Sequence, residues 1–235
     1  SEESALKRIG SRTIYEKMFK NYTKKQWDMY PHELDASVMD RIPVRFNHDD
    51  KYFNDKYEGM PKNGYTAMVR NILDHPNIKV ILGRDYHKMS FDDEPELIFY
   101  TGKIDTYFKE KYGSLEYRSL EFESETLPIE SYQENSVINY PSSDYTFTRI
   151  IEHKKLYNQK SPYTTITREY PISGGEPYYP VPNNSNRKLY EKYQTEAQKL
   201  EKQGVYFVGR LANYKYYNMN DAVKAALDLF DRLNK

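Results

Sequence analysis

The spacing of hydrophobic positions changes along this chain. Leu6, Ile9, Ile14, Met18 and Phe19 recur at broadly helical intervals, interrupted at Gly10, and Ser1-Glu2-Glu3-Ser4 gives the start acidic, capping character. A helical segment is therefore expected as far as Trp27. Residues 31–61 lose the period and become polar with many aromatics. A loop that long inside a domain tends to be functional or mobile. Thr66–Leu73 predicts a helix, stopped near Asp74-His75-Pro76 because a residue before proline is pushed out of the helical region. Strand patterns then take over at Ile78–Leu82, Leu97–Tyr100, Leu115–Glu123, Ser136–Tyr140, Tyr145–His153 and Thr164–Tyr170. Gly102–Phe108 reads as a turn into a short helix, Ser173–Pro177 as a loop, and Arg187–Lys202 as a charged amphipathic helix. Helices, then strands, then helix–strand–helix predicts an α+β fold whose sheet, of about six strands, is mostly antiparallel.

The closing unit stands apart. Gly204–Val208 is a short apolar run with β-branched and aromatic residues, followed at once by Gly209-Arg210 and, after a tyrosine-rich link, by an amphipathic helix from Asp221 to about Leu233. A strand, a Gly-Arg turn and a helix N-terminus suit a phosphate or an electron-rich ring. Dinucleotide folds are normally opened by Gly-x-Gly-x-x-Gly after the first strand. The ten glycines here are scattered and form no such turn.

Composition narrows the classes. Lys+Arg and Asp+Glu are both 35, which argues against a general nucleic-acid binder and leaves room for a local basic cluster. There is no cysteine, hence no disulfide framework and no thiolate metal site. No apolar run nears the ~20 residues of a membrane span, and no signal peptide is seen, so a cytoplasmic protein is expected. Ser1 implies either a removed methionine or a chain cut from something longer. Tyrosine is the outlier, 25 against one tryptophan. Most should serve sheet faces and core, and some can stack on bases or sugars. The five histidines lack metal-ligand spacing, His48-Asp49-Asp50 reads as an exposed acidic loop, and no metal is expected. Lys24-Lys25 and Lys154-Lys155 read as solvated faces.

A series of blocks then adds a resemblance. They include Phe19–Trp27 (FKNYTKKQW), Arg41–Arg45 (RIPVR), Asp50–Pro61, Tyr100–Asp105 (YTGKID) and Tyr117–Leu120. Asn139-Tyr140, Thr148–Lys154 (TRIIEHK), Thr167–Pro171 (TREYP), Glu176–Pro180 (EPYYP), Gly209-Arg210-Leu211 and Tyr214-Lys215-Tyr216 complete them. In this order and spacing, from Ser1 to Lys235, the chain resembles the bacterial UDP-galactopyranose mutases. The resemblance implies interconversion of UDP-galactopyranose and UDP-galactofuranose through a covalent adduct with reduced FAD. In that family the flavin is the nucleophile, so the protein mainly orients the substrate and neutralises charge.

The resemblance also assigns residues. Arg41, on a mobile loop, and Arg149, on a central strand, reach the UDP diphosphate, whose oxygens suit guanidinium donors. Tyr22 stacks on uracil and Trp27 lies near the sugar and diphosphate. Tyr52, Tyr179 and Tyr216 surround the diphosphate and sugar, and Asn139 lies near the sugar. Gly209, Arg210 and Asn218 are cofactor-facing, with Asn218 standing where many members carry Asp. Tyr178, Tyr214 and Tyr217 are assigned to packing, and Phe19 to either the uracil-pocket lining or the core, with the core preferred. The expected division is 1–76, a helical segment with the mobile substrate loop; 77–185, the antiparallel-sheet substrate domain; and 186–235, the C-terminal remnant of a Rossmann-like FAD domain. The family's Gly-rich FAD region is absent from these residues. Expected partners are UDP-galactose or UDP and the N-terminal FAD-binding portion, from the same enzyme or another chain; a homodimer is admitted, nucleic acid is not. The alternative is a catalytically inactive nucleotide-sugar-binding module or a protein-interaction fragment. One physical expectation follows: a closing strand without its parallel neighbours leaves an open edge and an uncovered helix face.

Overall fold

A computed structural model describes residues 6, 7, 9–35, 38, 45, 47, 48, 53, 55–90 and 95–234. After a helical stretch that includes Leu6, Lys7 and Ile9, helix α1 is contiguous from Arg12–Ile14 through a wider π-turned stretch, Tyr15–Lys20, to Asn21–Trp27. Ser11 Oγ caps it by accepting from Ile14 N at 3.3 Å. Its buried Tyr15 and Phe19 pack with Ile9. Asp28 turns left-handed (φ 56°) and ends it. Helix α2 spans Gly64–Leu73.

Strand β1, Ile98–Tyr100, and helix α3, Ile104–Tyr107, come next. Strands β2 (Tyr117–Leu127), β3 (Val137–Asn139), β4 (Arg149–Glu152), β5 (Thr164–Ser173) and β6 (Tyr179–Pro180) form one antiparallel sheet in the order β3-β4-β5-β2-β6. Helix α4, His153–Leu156, follows β4 directly. The long β2–β5 pairing, Arg118↔Ser173 to Leu127↔Thr164, is the spine. Helix α5 (Asn184–Glu201), strand β7 (Val205–Phe207) and helix α6 (Met219–Leu233) close the chain. Strand β7 pairs in parallel with β1, Ile98↔Val205 to Tyr100↔Phe207, as a two-stranded sheet. The fold is α+β, with the antiparallel sheet and the closing strand–helix unit that the sequence predicts.

Burial explains how the two sheets are joined. Helix α5 starts at Asn183, whose Oδ1 accepts from Asn186 N at 2.8 Å. It places Tyr193 and Ala197 against Ile104 and Leu115, with Phe207 and Tyr214 packed alongside. Tyr193 is fully buried, yet its hydroxyl donates to Gly113 O at 2.6 Å and accepts from Tyr112 N at 3.1 Å. A buried phenol is tolerated because both roles are filled.

Two expectations change. Ile78–Leu82 is in neither sheet: it is exposed, with Val80 and Ile81 about half accessible and Leu82 85% accessible. A run of β-formers becomes a strand only where a neighbouring strand offers hydrogen bonds, and here none does. The lysine pairs are also not merely solvated. Lys25 Nζ donates to the carbonyls of Tyr140, Ser142 (2.9 Å), Tyr145 (3.1 Å) and Phe147 (2.9 Å). Lys154 holds Ser161 O and Tyr163 O, and Lys155 holds Gln133 O and Glu134 O. Each ammonium closes a loop whose carbonyls have no strand partner.

Candidate functional site

Sheet register builds the centre of the site. Asn139, Arg149 and Glu169 are directly opposite one another across β3, β4 and β5, so they share one face. Arg149 Nη2 donates to Tyr22 Oη at 2.9 Å, tying the sheet to α1. Arg149 Nε lies 3.1 Å from Glu169 Oε2. That approach is an ion pair and not a hydrogen bond: Nε is a buried donor without an acceptor in bonding geometry. Distance measures the charge attraction and angle measures the hydrogen bond, so both observations stand. Burial pulls the Arg149 guanidinium down, but Tyr22 and Glu169 more than offset it and the net direction is up. Burial pushes the Glu169 carboxyl up, and Arg149 offsets only part. Of the two, Glu169 reports the balance at neutral pH, because a phenol such as Tyr22 carries no negative charge there.

Aromatic rings form the adjoining wall. Tyr179 and Tyr216 stack at 5.2 Å and 8°. Trp27, 6% exposed, meets both edge-on at 6.2 and 6.0 Å. Leu34 and Val181 pack beneath them. The Arg210 guanidinium lies over Tyr216 at 5.1 Å and Tyr179 at 5.5 Å. Burial first, then Tyr216, pushes the Tyr179 phenol up to about 12, so it is a neutral donor at physiological pH.

The expected cofactor-facing residues are held by their own turn and, for Arg210, also by Tyr178. Gly209 (φ 105°) donates from N to Asn213 Oδ1 at 3.0 Å. Arg210 donates from Nη1 to Tyr178 O at 3.0 Å and from Nη2 to Tyr217 O. Asn218 caps α6 in a box with Asp221, whose Oδ2 accepts from Asn218 N at 2.9 Å.

Direct contacts thus join Tyr22 to Arg149, and Trp27, Tyr179, Tyr216 and Arg210 to one another; the two groups feel each other through the charge of Arg149 at Tyr179, and Asn139 is one strand from Arg149. Arg41 and Tyr52 lie outside the described residues. Sequence reasoning missed Glu169, whose signal was its place in the Thr-Arg-Glu-Tyr-Pro block. It also missed Gln26, whose buried Nε2 has no hydrogen-bond partner. A cleft of about 370 Å³ beside Asn21, Lys24, Lys25, Tyr30 and Tyr145 includes none of the expected residues, so it is not this site. Among the described residues no His/Asp/Glu cluster could hold a metal, and no helix is long and apolar enough to cross a membrane.

Comparison with known proteins gives the family. The family described as UDP-galactopyranose mutase matches residues 17–216. The chain belongs to the UDP-galactopyranose mutase family. It is 43% identical over 234 residues to a probable UDP-galactopyranose mutase of Klebsiella pneumoniae, covering 98% of this chain and 60% of that protein. It is 36% identical over 236 residues to the dTDP-fucopyranose mutase of Escherichia coli, covering 97% and 62% respectively. A crystal structure of reduced UDP-galactopyranose mutase shares the fold, with a TM-score of 0.63 at 13% identity over 92% of this chain and 63% of the other. The chain therefore spans about three-fifths of the length of these mutase-family relatives.

Proposed function

We propose that this chain supplies the nucleotide-sugar site of a cytoplasmic UDP-galactopyranose mutase. The assembled enzyme would interconvert UDP-galactopyranose and UDP-galactofuranose. The observation that carries the reading is Arg149. It is a guanidinium beside Tyr22 and Tyr179 whose buried Nε has no acceptor in bonding geometry. A diphosphate offers acceptors for such a donor set, and the neutral phenols add donors without adding charge. Tyr22 presents the face for the base, and Trp27 with the Tyr179–Tyr216 stack forms the wall toward the sugar. When UDP leaves, Arg149 and Arg41 would neutralise its developing charge and keep it oriented for return. In this reading residues 1–76 and 77–185 carry the substrate site.

FAD, as reduced cofactor of the assembled enzyme, fits one wall of this chain and not a full cradle. The Gly209 N–H and both terminal nitrogens of Arg210 are already engaged, by Asn213 and Tyr217 within the turn and by the Tyr178 carbonyl outside it. Residues 186–235 would form the edge of a flavin site, and the donors for the cofactor's phosphates would come from the portion of the fold that the chain does not span.

Fluorescence of Trp27, the sole tryptophan, tests the nucleotide site. UDP should change it saturably. Arg149→Gln should weaken UDP at least about tenfold, or about 1.4 kcal/mol, and leave uridine binding unchanged. Equal UDP affinity in the variant overturns the assignment of Arg149. The binding-module alternative is separated by turnover: UDP binding without turnover, when the complementary portion and reduced FAD are both present, favours it.

A further inference from the structure

Two buried side-chain donors lack a hydrogen-bond acceptor among the described residues, Arg149 Nε and Gln26 Nε2. Both belong to the contact between α1 and the antiparallel sheet. Gln26 is 8% exposed and follows Tyr22 by four residues, so the two share one face of α1. The helix meets β5 and buries Thr23, Gln26 and Trp27. From the same face Tyr22 reaches Arg149. One residue after Gln26, Trp27 meets the Tyr179–Tyr216 stack. Gln26 therefore stands in the chain between the Tyr22–Arg149 group and the aromatic wall.

Its surroundings are cationic. Arg118, on β2 and 6% exposed, donates from Nε to Gln26 O at 3.1 Å and from Nη1 to Ser173 Oγ. Register puts Arg118 opposite Ser173 and Tyr179. Ser173 and Glu169 share a face of β5, and Glu169 is opposite Arg149. Both guanidiniums thus belong to one face of the sheet. Burial holds Arg118 below its ordinary value, and Asp28 offsets only part of that. Among the described residues Arg118 makes no ion pair. An orphaned buried amide needs a reason, because an apolar side chain of the same shape would fill the space without an unmet donor. The ligand group that two cations draw toward them is an anion, and in a nucleotide sugar that group is the diphosphate.

We infer that Gln26 is a further substrate-binding residue, whose Nε2 donates to a diphosphate oxygen of the bound nucleotide sugar alongside Arg149. This deepens the proposed nucleotide-sugar site and rests on that reading. An amide suits the position because it adds a directed donor without placing a third charge near two buried guanidiniums.

The test is Gln26→Met, which keeps the length of the side chain and removes the amide. Two readouts should move in opposite directions. Without ligand the urea midpoint should rise, because a buried donor with no acceptor has been removed. In titration calorimetry UDP should bind at least about tenfold more weakly, the worth of one hydrogen bond to a charged group. Uridine, which has no diphosphate, should bind with unchanged affinity. A glutamine that only packs gives the other signs, a lower midpoint with unchanged UDP affinity. Unchanged UDP affinity overturns the inference. An equal loss for uridine also overturns it, because the amide then reads the nucleoside. A lowered midpoint overturns it as well, because the donor is then satisfied without ligand. The parent chain separates this inference from the site it rests on. A parent that binds no UDP removes the site and Gln26 with it, whereas a variant that matches a UDP-binding parent removes only the role of Gln26.

Discussion

Lys25→Met tests whether a lysine can act as a loop core. In the parent, one ammonium faces four backbone carbonyls, from Tyr140, Ser142, Tyr145 and Phe147. Its three protons can fill three bonds at a time, and hydrogen bonds to a charged group are worth about 1.5–3 kcal/mol each. The gross gain is thus about 4.5–9 kcal/mol. Two terms reduce it. Burial holds the Lys25 ammonium below its ordinary value, so part of the gain offsets desolvation. The carbonyl of Tyr145 is at the surface, where water can replace the lysine. A net loss of about 2–4 kcal/mol is expected for Lys25→Met. Methionine keeps the length and apolar stem, so the change isolates the ammonium. Urea unfolding followed by circular dichroism should show the lower free energy at unchanged m-value. Hydrogen exchange should quicken at Tyr140, whose N–H bonds Thr148 O at 2.8 Å. A loss within about 0.5 kcal/mol, the range of an ordinary surface substitution, with loop exchange unchanged, would refute the reasoning.

Glu152 and Glu169 should bend the pH–stability curve in opposite directions. Burial raises the Glu152 carboxyl, but bonds from Thr164 Oγ1 (2.7 Å), Gln133 N (3.0 Å) and Tyr132 N (3.1 Å) leave it net below its ordinary 4.5. Its contribution is present above pH 4.5 and lost as pH falls through the lowered value. Glu152→Gln should therefore cost about 1–3 kcal/mol at pH 7 and flatten the acid limb of the urea-unfolding free energy. Glu169 is held above 4.5, so its contribution is full below 4.5 and declines as pH rises through the raised value. Glu169→Gln should flatten that decline and change stability by less than about 1 kcal/mol at pH 7; a loss of about 3 kcal/mol, as for a broken favourable buried pair, would contradict it. Gly204→Ala should destabilise by at least about 2 kcal/mol in thermal or urea unfolding, because φ is +81° and the new Cβ meets the Glu96 backbone oxygen at 2.5 Å.

Legibility in the sequence followed how locally each feature is determined. Helix α5 carried its own amphipathic pattern, and the cap at Asn183 fixed its start. Strands β2 and β5 announced themselves by alternation, though their register came only from pairing. The two-residue β6 had no pattern of its own and exists because β2 offers it an edge. Residues 78–82 had the pattern and lacked the edge. Lys25 and Lys155 looked like solvent-facing charge because their acceptors lie elsewhere in the chain, beyond any local window; Lys154 looked so because its acceptors, seven and nine residues on, meet it only once the loop closes. Glu169 was hidden for the same reason: only the β4–β5 register sets it opposite Arg149.

The two described arginines of the expected site separate the roles within this chain. Arg210 uses both terminal nitrogens on the carbonyls of Tyr178 and Tyr217 and lies over two tyrosine rings, so its work is to shape the Gly209 turn and steady the Tyr179–Tyr216 stack. Among the described residues Arg149 makes one hydrogen bond, sits beside a carboxylate whose own burial it does not fully offset, and keeps a buried Nε without an acceptor in bonding geometry. A guanidinium left that way carries an unmet demand for an anion with several acceptor oxygens. Unmet donor capacity therefore lies at the sheet face toward α1, and the Gly-Arg turn is largely satisfied. That asymmetry supports the proposed reading, in which the chain holds the nucleotide sugar and meets a cofactor only as one wall.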